Sequence, residues 1–248
     1  MRESTNSILL EVCAATVHSV IAAEEGGAHR IELCEALEIG GTTPSPGLFL
    51  QAKRWSKLPI FVLIRPGTRD FCYTPIQKQQ ILEDIRFFRD NGADGIVSGA
   101  LVPDGSPDLP FLEQLVHASG ELPFTFHRAA DHFSTPVQSL IQLRDLGVRR
   151  VLSSGGKAKA IDALDTLVDW QSKLGSEMIV LAGGGVEPKD APAFAKAGIR
   201  EVHGSFRKIE NGPMDFRPDI PRFGDDFFHR SETLTDSVRE FITLSKLK

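Results

Sequence analysis

Two short phrases carry the same chemistry at the same spacing. Glu11-Val12-Cys13 and Glu32-Leu33-Cys34 each place a thiol two residues after a carboxylate. On a β-strand that spacing puts both side chains on one face. Neighbouring strands lie about 4.8 Å apart. If both cysteines sit at the same height, their sulfurs can meet at one soft metal ion. Thiolates favour Cu(I), or borderline Zn(II). The spacing matches neither a CxxC pair nor a zinc-ligand series. The plainer alternative is a pair of small buried hydrophobes, a common use of free cysteine.

A second set of residues suits acid–base work. His127-Arg128-Ala129-Ala130-Asp131 joins a base, a cation and a carboxylate. Asp131 either orients His127 or pairs with Arg128. Arg65 has the planar fork that matches a carboxylate and is the expected partner of Glu11 or Glu32. Glu32 and His127 would serve as acid and base, with Arg65, Glu11, Asp131 and His203 completing the catalytic set. The loop Arg65-Pro66-Gly67-Thr68-Arg69-Asp70-Phe71-Cys72-Tyr73 carries two arginines and the chain's one tyrosine. It reads either as an anion clamp or as a solvated surface loop.

A third set is rich in glycine and serine. Ser153-Ser154-Gly155-Gly156, Ala182-Gly183-Gly184-Gly185-Val186 and His203-Gly204-Ser205 bare backbone donors of the kind that cradle anions. Ser154, Gly155, Gly183, Gly184, Gly185 and Ser205 are therefore the candidate anion-binding residues. Tight turns also need glycine, so the run alone is a weak signal.

The elements that must position these groups repeat along the chain. Gly27-Ala28-His29-Arg30-Ile31, Gly92-Ala93-Asp94-Gly95-Ile96, Gly147-Val148-Arg149-Arg150-Val151 and Gly198-Ile199-Arg200-Glu201-Val202 share one cadence. In each, a glycine stops a helix and the chain enters a strand. Further strands are expected at Leu9–Cys13, Ile60–Arg65, Phe124–His127 and Met178–Ala182. Thr74-Pro75 and Thr135-Pro136 read as helix N-caps followed by proline in the first turn. Eight strands alternating with helices predict a single (β/α)8 TIM barrel over residues 1–248. Its core spans about 8–205, and an extension spans about 206–248. A doubly wound sheet is disfavoured, because Cys13-Ala14-Ala15-Thr16 replaces the glycine-rich turn after the first strand. The segment Phe206–Ser231 predicts a long loop, and a last helix is expected near Thr235–Leu244.

In a barrel, outward strand residues pack on helices and are apolar. Leu10, Val12, Ile31, Leu33, Phe124, Phe126 and Val202 therefore face out. Glu11, Cys13, Glu32, Cys34, Thr125, His127, Glu201 and His203 face in. The polar ones cluster at the strands' C-terminal ends, where barrel enzymes place their sites. These groups either contact a ligand or only satisfy one another.

Composition narrows the function class. The chain has 248 residues, 41% of them hydrophobic, a net charge of −5 and three cysteines. The acidic balance argues against a nucleic-acid partner. No apolar run is long enough for a membrane span, and the polar start lacks a signal region. A cytoplasmic location with free thiols is expected.

Taken together, Leu10-Glu11-Val12-Cys13, Arg30-Ile31-Glu32-Leu33-Cys34, Gly40-Gly41-Thr42-Thr43-Pro44-Ser45, Ile64-Arg65-Pro66, Asp70-Phe71-Cys72-Tyr73, Thr125-Phe126-His127-Arg128-Ala129 and Ala182-Gly183-Gly184-Gly185-Val186 resemble the CutC copper homeostasis family. The likeness runs in order from about residue 8 to 207. It implies a (β/α)8 barrel, a cytoplasmic homodimer and a link to copper, with Cu(I) bound through Cys13 and Cys34. Two departures stand out. Arg65-Pro66-Gly67-Thr68-Arg69-Asp70 replaces the family's Arg-Pro-Arg-Gly-Gly-Asp, which moves one arginine. Ala130 replaces an aromatic after His127-Arg128-Ala129, which enlarges the expected pocket. The reading that follows is a copper-homeostasis barrel binding Cu(I). The alternative is an enzyme acting on a small anionic or phosphorylated substrate.

Overall fold

The computed structural model describes residues 8–217 and 228–246. The expected domain of residues 1–248 thus includes short stretches that lie outside the described residues. Eight strands form a closed parallel barrel in chain order. They are β1 Leu9–Ala14, β2 Arg30–Leu33, β3 Ile60–Leu63, β4 Gly95–Ser98, β5 Phe124–Phe126, β6 Arg150–Ser153, β7 Ile179–Gly183 and β8 Glu201–Gly204. β8 pairs with β1 to close the ring. Seven helices fill the crossovers: α1 Val17–Gly26, α2 Pro46–Trp55, α3 Pro75–Asp90, α4 Leu109–Ser119, α5 Pro136–Asp145, α6 Leu164–Leu174 and α7 Ala191–Lys196. The fold is the (β/α)8 TIM barrel. No helix among the described residues is long and apolar enough to cross a membrane.

Local sequence explains where the helices start and stop. Thr74 and Gln77 form a reciprocal capping box at the start of α3, with Pro75 behind the cap. Such a cap contributes about 1 kcal/mol. Thr135 departs from the expectation: α5 begins at Pro136, but the Thr135 side chain makes no capping bond. Gly27 ends α1 at φ 92°, a left-handed turn that favours glycine.

The barrel wall separates two environments. Leu10, Val12, Ile31, Leu33, Ile60, Val62, Phe124, Phe126 and Val202 are buried against the helices. Each contributes roughly 1.5–3 kcal/mol of apolar burial. A smaller cluster, Cys13, Cys34, Phe61, Leu63 and Val97, lies inside the barrel. Phe61 fits there because β4 offers Gly95, where an added Cβ would lie 2.6 Å from the Phe61 ring.

Beneath that cluster the interior is ionic. Arg30 pairs with Glu11 through Nε and with Glu201 through Nη2 at 2.6 Å. Arg150 meets the same Glu201 oxygen at 2.8 Å. Both guanidinium groups lie over the Phe61 ring, at 4.8 and 5.6 Å. This corrects the expectation that Arg65 pairs with Glu11 or Glu32. Arg30 stands opposite Glu11 in the β1–β2 ladder, whereas Arg65 follows the end of β3.

The segment after β8 also departs from the expected loop. Strand β9 Arg207–Asn211 pairs antiparallel with β10 His229–Thr233. β9 is exposed throughout and Ile209 is its single apolar residue, so it lacks the apolar alternation that marks a strand. Residues 218–227 of the expected loop lie outside the described residues. Helix α8 Thr235–Leu244 then packs on α1 so closely that Gly26 has no room for a Cβ beside Val238. Glu232 anchors the ribbon by accepting from Ser19 Oγ at 2.8 Å.

Candidate functional site

The site is built upward from the ionic layer. Glu11 is fully buried and shares its carboxylate between Arg30 and His203, whose Nδ1 lies 2.8 Å from Glu11 Oε1. Burial pushes the Glu11 carboxyl up, but Arg30 and His203 outweigh it and hold the pKa at about 2. The His203 ring is thereby oriented, and its Nε2 points to Glu32, 3.8 Å from Oε2. Burial disfavours the charged ring, yet the Glu32 and Glu11 carboxylates prevail and raise its pKa.

Glu32 and Cys13 complete the floor. The Cys13 thiol donates to Glu32 Oε2 at 3.1 Å. Burial raises the Glu32 pKa and the Glu11 charge adds to it, against the pull of His203. The Cys13 thiol is pushed well up by its contact with Cys34, by burial and by the nearby carboxylate. Cys34 Sγ lies 3.6 Å from Cys13 Sγ. Cys13, Glu32 and His203 each offer a ligand atom, all within 4.8 Å of one another. A thiol, an imidazole and a carboxylate form a donor set for a soft or borderline metal ion. A carboxylate behind the histidine is the usual support of such a ligand.

Above this floor opens a cavity of about 240 Å³. Cys13, Glu32 and His203 line its base, and Arg65, His127 and Arg128 its walls. Gly184, Gly185 and Ser205 also face it. Arg65 spends its terminal nitrogens on three backbone carbonyls, those of Ile39, Gly41 and Arg69. His127 Nδ1 accepts from the Ala129 N–H at 3.3 Å. Burial, helped by the Arg65 charge, lowers the His127 pKa to about 3. The ring is neutral, and its proton sits on Nε2. Phe71 packs against His127 with centroids 4.8 Å apart and the rings tilted by 54°, and lies under the Arg65 guanidinium at 5.3 Å.

Other expected residues sit elsewhere. Glu11 lies below the cavity, not in its wall. Cys34 is fully buried behind Cys13 and does not line the cavity. Asp131 pairs with Arg128 at 2.8 Å and not with His127. The turn after β6 wraps Asp131: its Oδ1 accepts from Ser153 Oγ, Ser154 N–H and Gly156 N–H. The Gly155 N–H goes to Ser153 Oγ. The Ser154 N–H therefore serves an internal carboxylate and the Gly155 N–H an internal hydroxyl, which corrects their reading as an open anion cradle. Gly183 makes room, since a Cβ there would meet Leu152 and His203. Tyr73 is half-buried, its phenol pushed up to about 12 by desolvation of the hydroxyl, and it does not line the cavity.

Three groups were missed by sequence reasoning. Arg30 shares the inward parity of Glu32 on β2, and Arg150 that of the cavity-lining Leu152 on β6; that parity was the available signal. Phe71 carried only its place in an arginine-rich loop.

The comparisons with known proteins agree in direction. The CutC family model matches residues 8–208. A CutC family protein of Citrobacter koseri is 39% identical over 209 residues, 84% of each chain. A crystal structure from Streptococcus agalactiae, provisionally assigned as the copper homeostasis protein CutC, superposes with a TM-score of 0.76. It is 29% identical and covers 80% of this chain and 98% of its own. An aldolase, QR15, shares the fold alone, with 12% identity and a TM-score of 0.60 over 83% of this chain and 92% of its own.

Proposed function

The chain belongs to the CutC family and is thereby associated with copper homeostasis, and we propose that it serves that process by holding Cu(I) at the floor of the barrel mouth. One observation carries this reading. Cys13, Glu32 and His203 converge within 4.8 Å at the base of an open cavity. The Cys13 thiolate is the soft ligand that Cu(I) prefers. His203 supplies a second donor through Nε2, with Glu11 steadying its other nitrogen. Cys34, its sulfur 3.6 Å behind that of Cys13, supports this ligand. A reducing cytoplasm, which keeps Cu(I) and free thiols, suits the reading. A homodimer belongs to the same proposal and is checked by light scattering.

The test is an anaerobic Cu(I) titration against a competing chelator. Wild type is expected to take up one ion. Cys13→Ser combined with His203→Gln is expected to lose that ion. Unchanged affinity in the double variant would sink the metal reading.

A second reading is acid–base turnover of a small anionic substrate, with Glu32 and His203 as the proton-handling groups. The cavity's size favours it, because an ion alone needs far less than about 240 Å³.

A further inference from the structure

Arg65 is a cation without a counter-ion. It is 8% exposed, and its terminal nitrogens meet only neutral carbonyls. Among the described residues no carboxylate lies within ion-pair distance of it. Its Nε has no hydrogen-bond partner. Burying a charge in this way is costly unless an opposite charge arrives. His127, which also touches Phe71, shows the same deficiency. It is 4% exposed, and its Nε2–H has no acceptor. Both residues line the one cavity and both contact the Phe71 ring.

We infer that the barrel mouth binds a small organic anion whose oxyanion head group neutralises Arg65 and accepts from His127. The rest of the wall describes the ligand's body. Leu63, Leu152 and Val186 face the cavity beside the polar groups, so a short apolar chain is accommodated. The volume of about 240 Å³ falls below the range of roughly 300–1,000 Å³ that holds drug-sized ligands. The occupant is therefore a molecule of a few carbons. The site differs from the glycine-rich turns, because its donors are side chains after β3 and β5. The inference rests on the second reading above and names its substrate class, but it concerns binding and not turnover.

The experiment is isothermal titration of the full, metal-free chain with butyrate, butyl phosphate and the neutral analogue butyramide, at constant ionic strength set with chloride. At least one of the two anions is expected to bind saturably, at least tenfold more tightly than butyramide. Which one binds identifies the head group as carboxylate or phosphate. Arg65→Gln is expected to lower that affinity at least tenfold, and His127→Phe several-fold. Should Arg65→Gln fail to fold, His127→Phe decides alone. Three results overturn the inference: no saturable binding of either anion, butyramide binding equally well, or undiminished affinity in the folded variants. Saturable anion binding keeps the inference whatever becomes of the acid–base reading, which a separate turnover assay decides. The Cu(I) titration is independent of all these arms.

Discussion

Cys13 stands opposite Glu32 in the β1–β2 ladder. The two Glu-x-Cys phrases are thus staggered by one pleat, and the thiol of the first meets the carboxylate of the second. Cys34 sits one step higher along its strand, against the Ala14 carbonyl and away from the cavity.

That stagger makes the cysteines unequal. Cys13→Ala is expected to weaken Cu(I) binding about tenfold or more beyond Cys34→Ala, as a ligand differs from its support. Equal losses in the two single variants, measured by chelator competition, would contradict this ordering.

Thiol chemistry should divide the same way. Cys72 is exposed, while Cys13 and Cys34 are buried. The Cys13 thiol is held well above its usual pKa, and the thiolate is the reactive form. Native protein is expected to give one fast thiol equivalent with a disulfide reagent and three after unfolding. Cys72→Ser should abolish the fast phase; its survival would refute the assignment.

Arg30 holds two buried carboxylates, Glu11 and Glu201. Arg30→Met is expected to destabilise the fold by about 3–5 kcal/mol, because it strands buried charge. Glu201 retains the Arg150 guanidinium, whereas Glu11 keeps only His203, so the loss should fall mainly on Glu11. Adding Glu11→Gln to Arg30→Met should recover part of the stability. Urea unfolding measures both, and a loss under about 1 kcal/mol in Arg30→Met would reject the role.

His127 ties stability to acid pH. Its pKa falls from 6.5 to about 3 on folding. The unfolded chain therefore binds more protons than the folded one between these values. Stability is fully present above pH 6.5 and declines as pH falls, by up to about 1.4 kcal/mol per pH unit. His127→Asn cannot take up this proton. Its unfolding free energy should fall less steeply between pH 6.5 and 4 than that of wild type. Parallel slopes would show that His127 does not set this limb.

The barrel was legible because its glycine-ended helices and β-branched strands repeat. Alternation along each strand then separates Leu10 and Val12 from Glu11 and Cys13. What alternation cannot give is height. The meeting of Cys13 with Glu32 depends on register between strands far apart in sequence. Arg30 escaped notice because it opens its strand, where an arginine reads as loop. Arg65 was assigned a carboxylate partner from its fork alone, but the carbonyls it holds come from loop turns with no sequence signature. The β9–β10 ribbon carries charges where a strand signal needs apolar alternation.

The ionic layer under the site has a kinetic consequence. Arg30, Arg150, Glu11 and Glu201, with Phe61 across them, plug the barrel from below. Among the described residues, whatever rests on Cys13 leaves through the cavity lined by Arg65 and His127. An occupant at the upper station therefore traps one at the lower, and the two must leave in the reverse of the order in which they arrived.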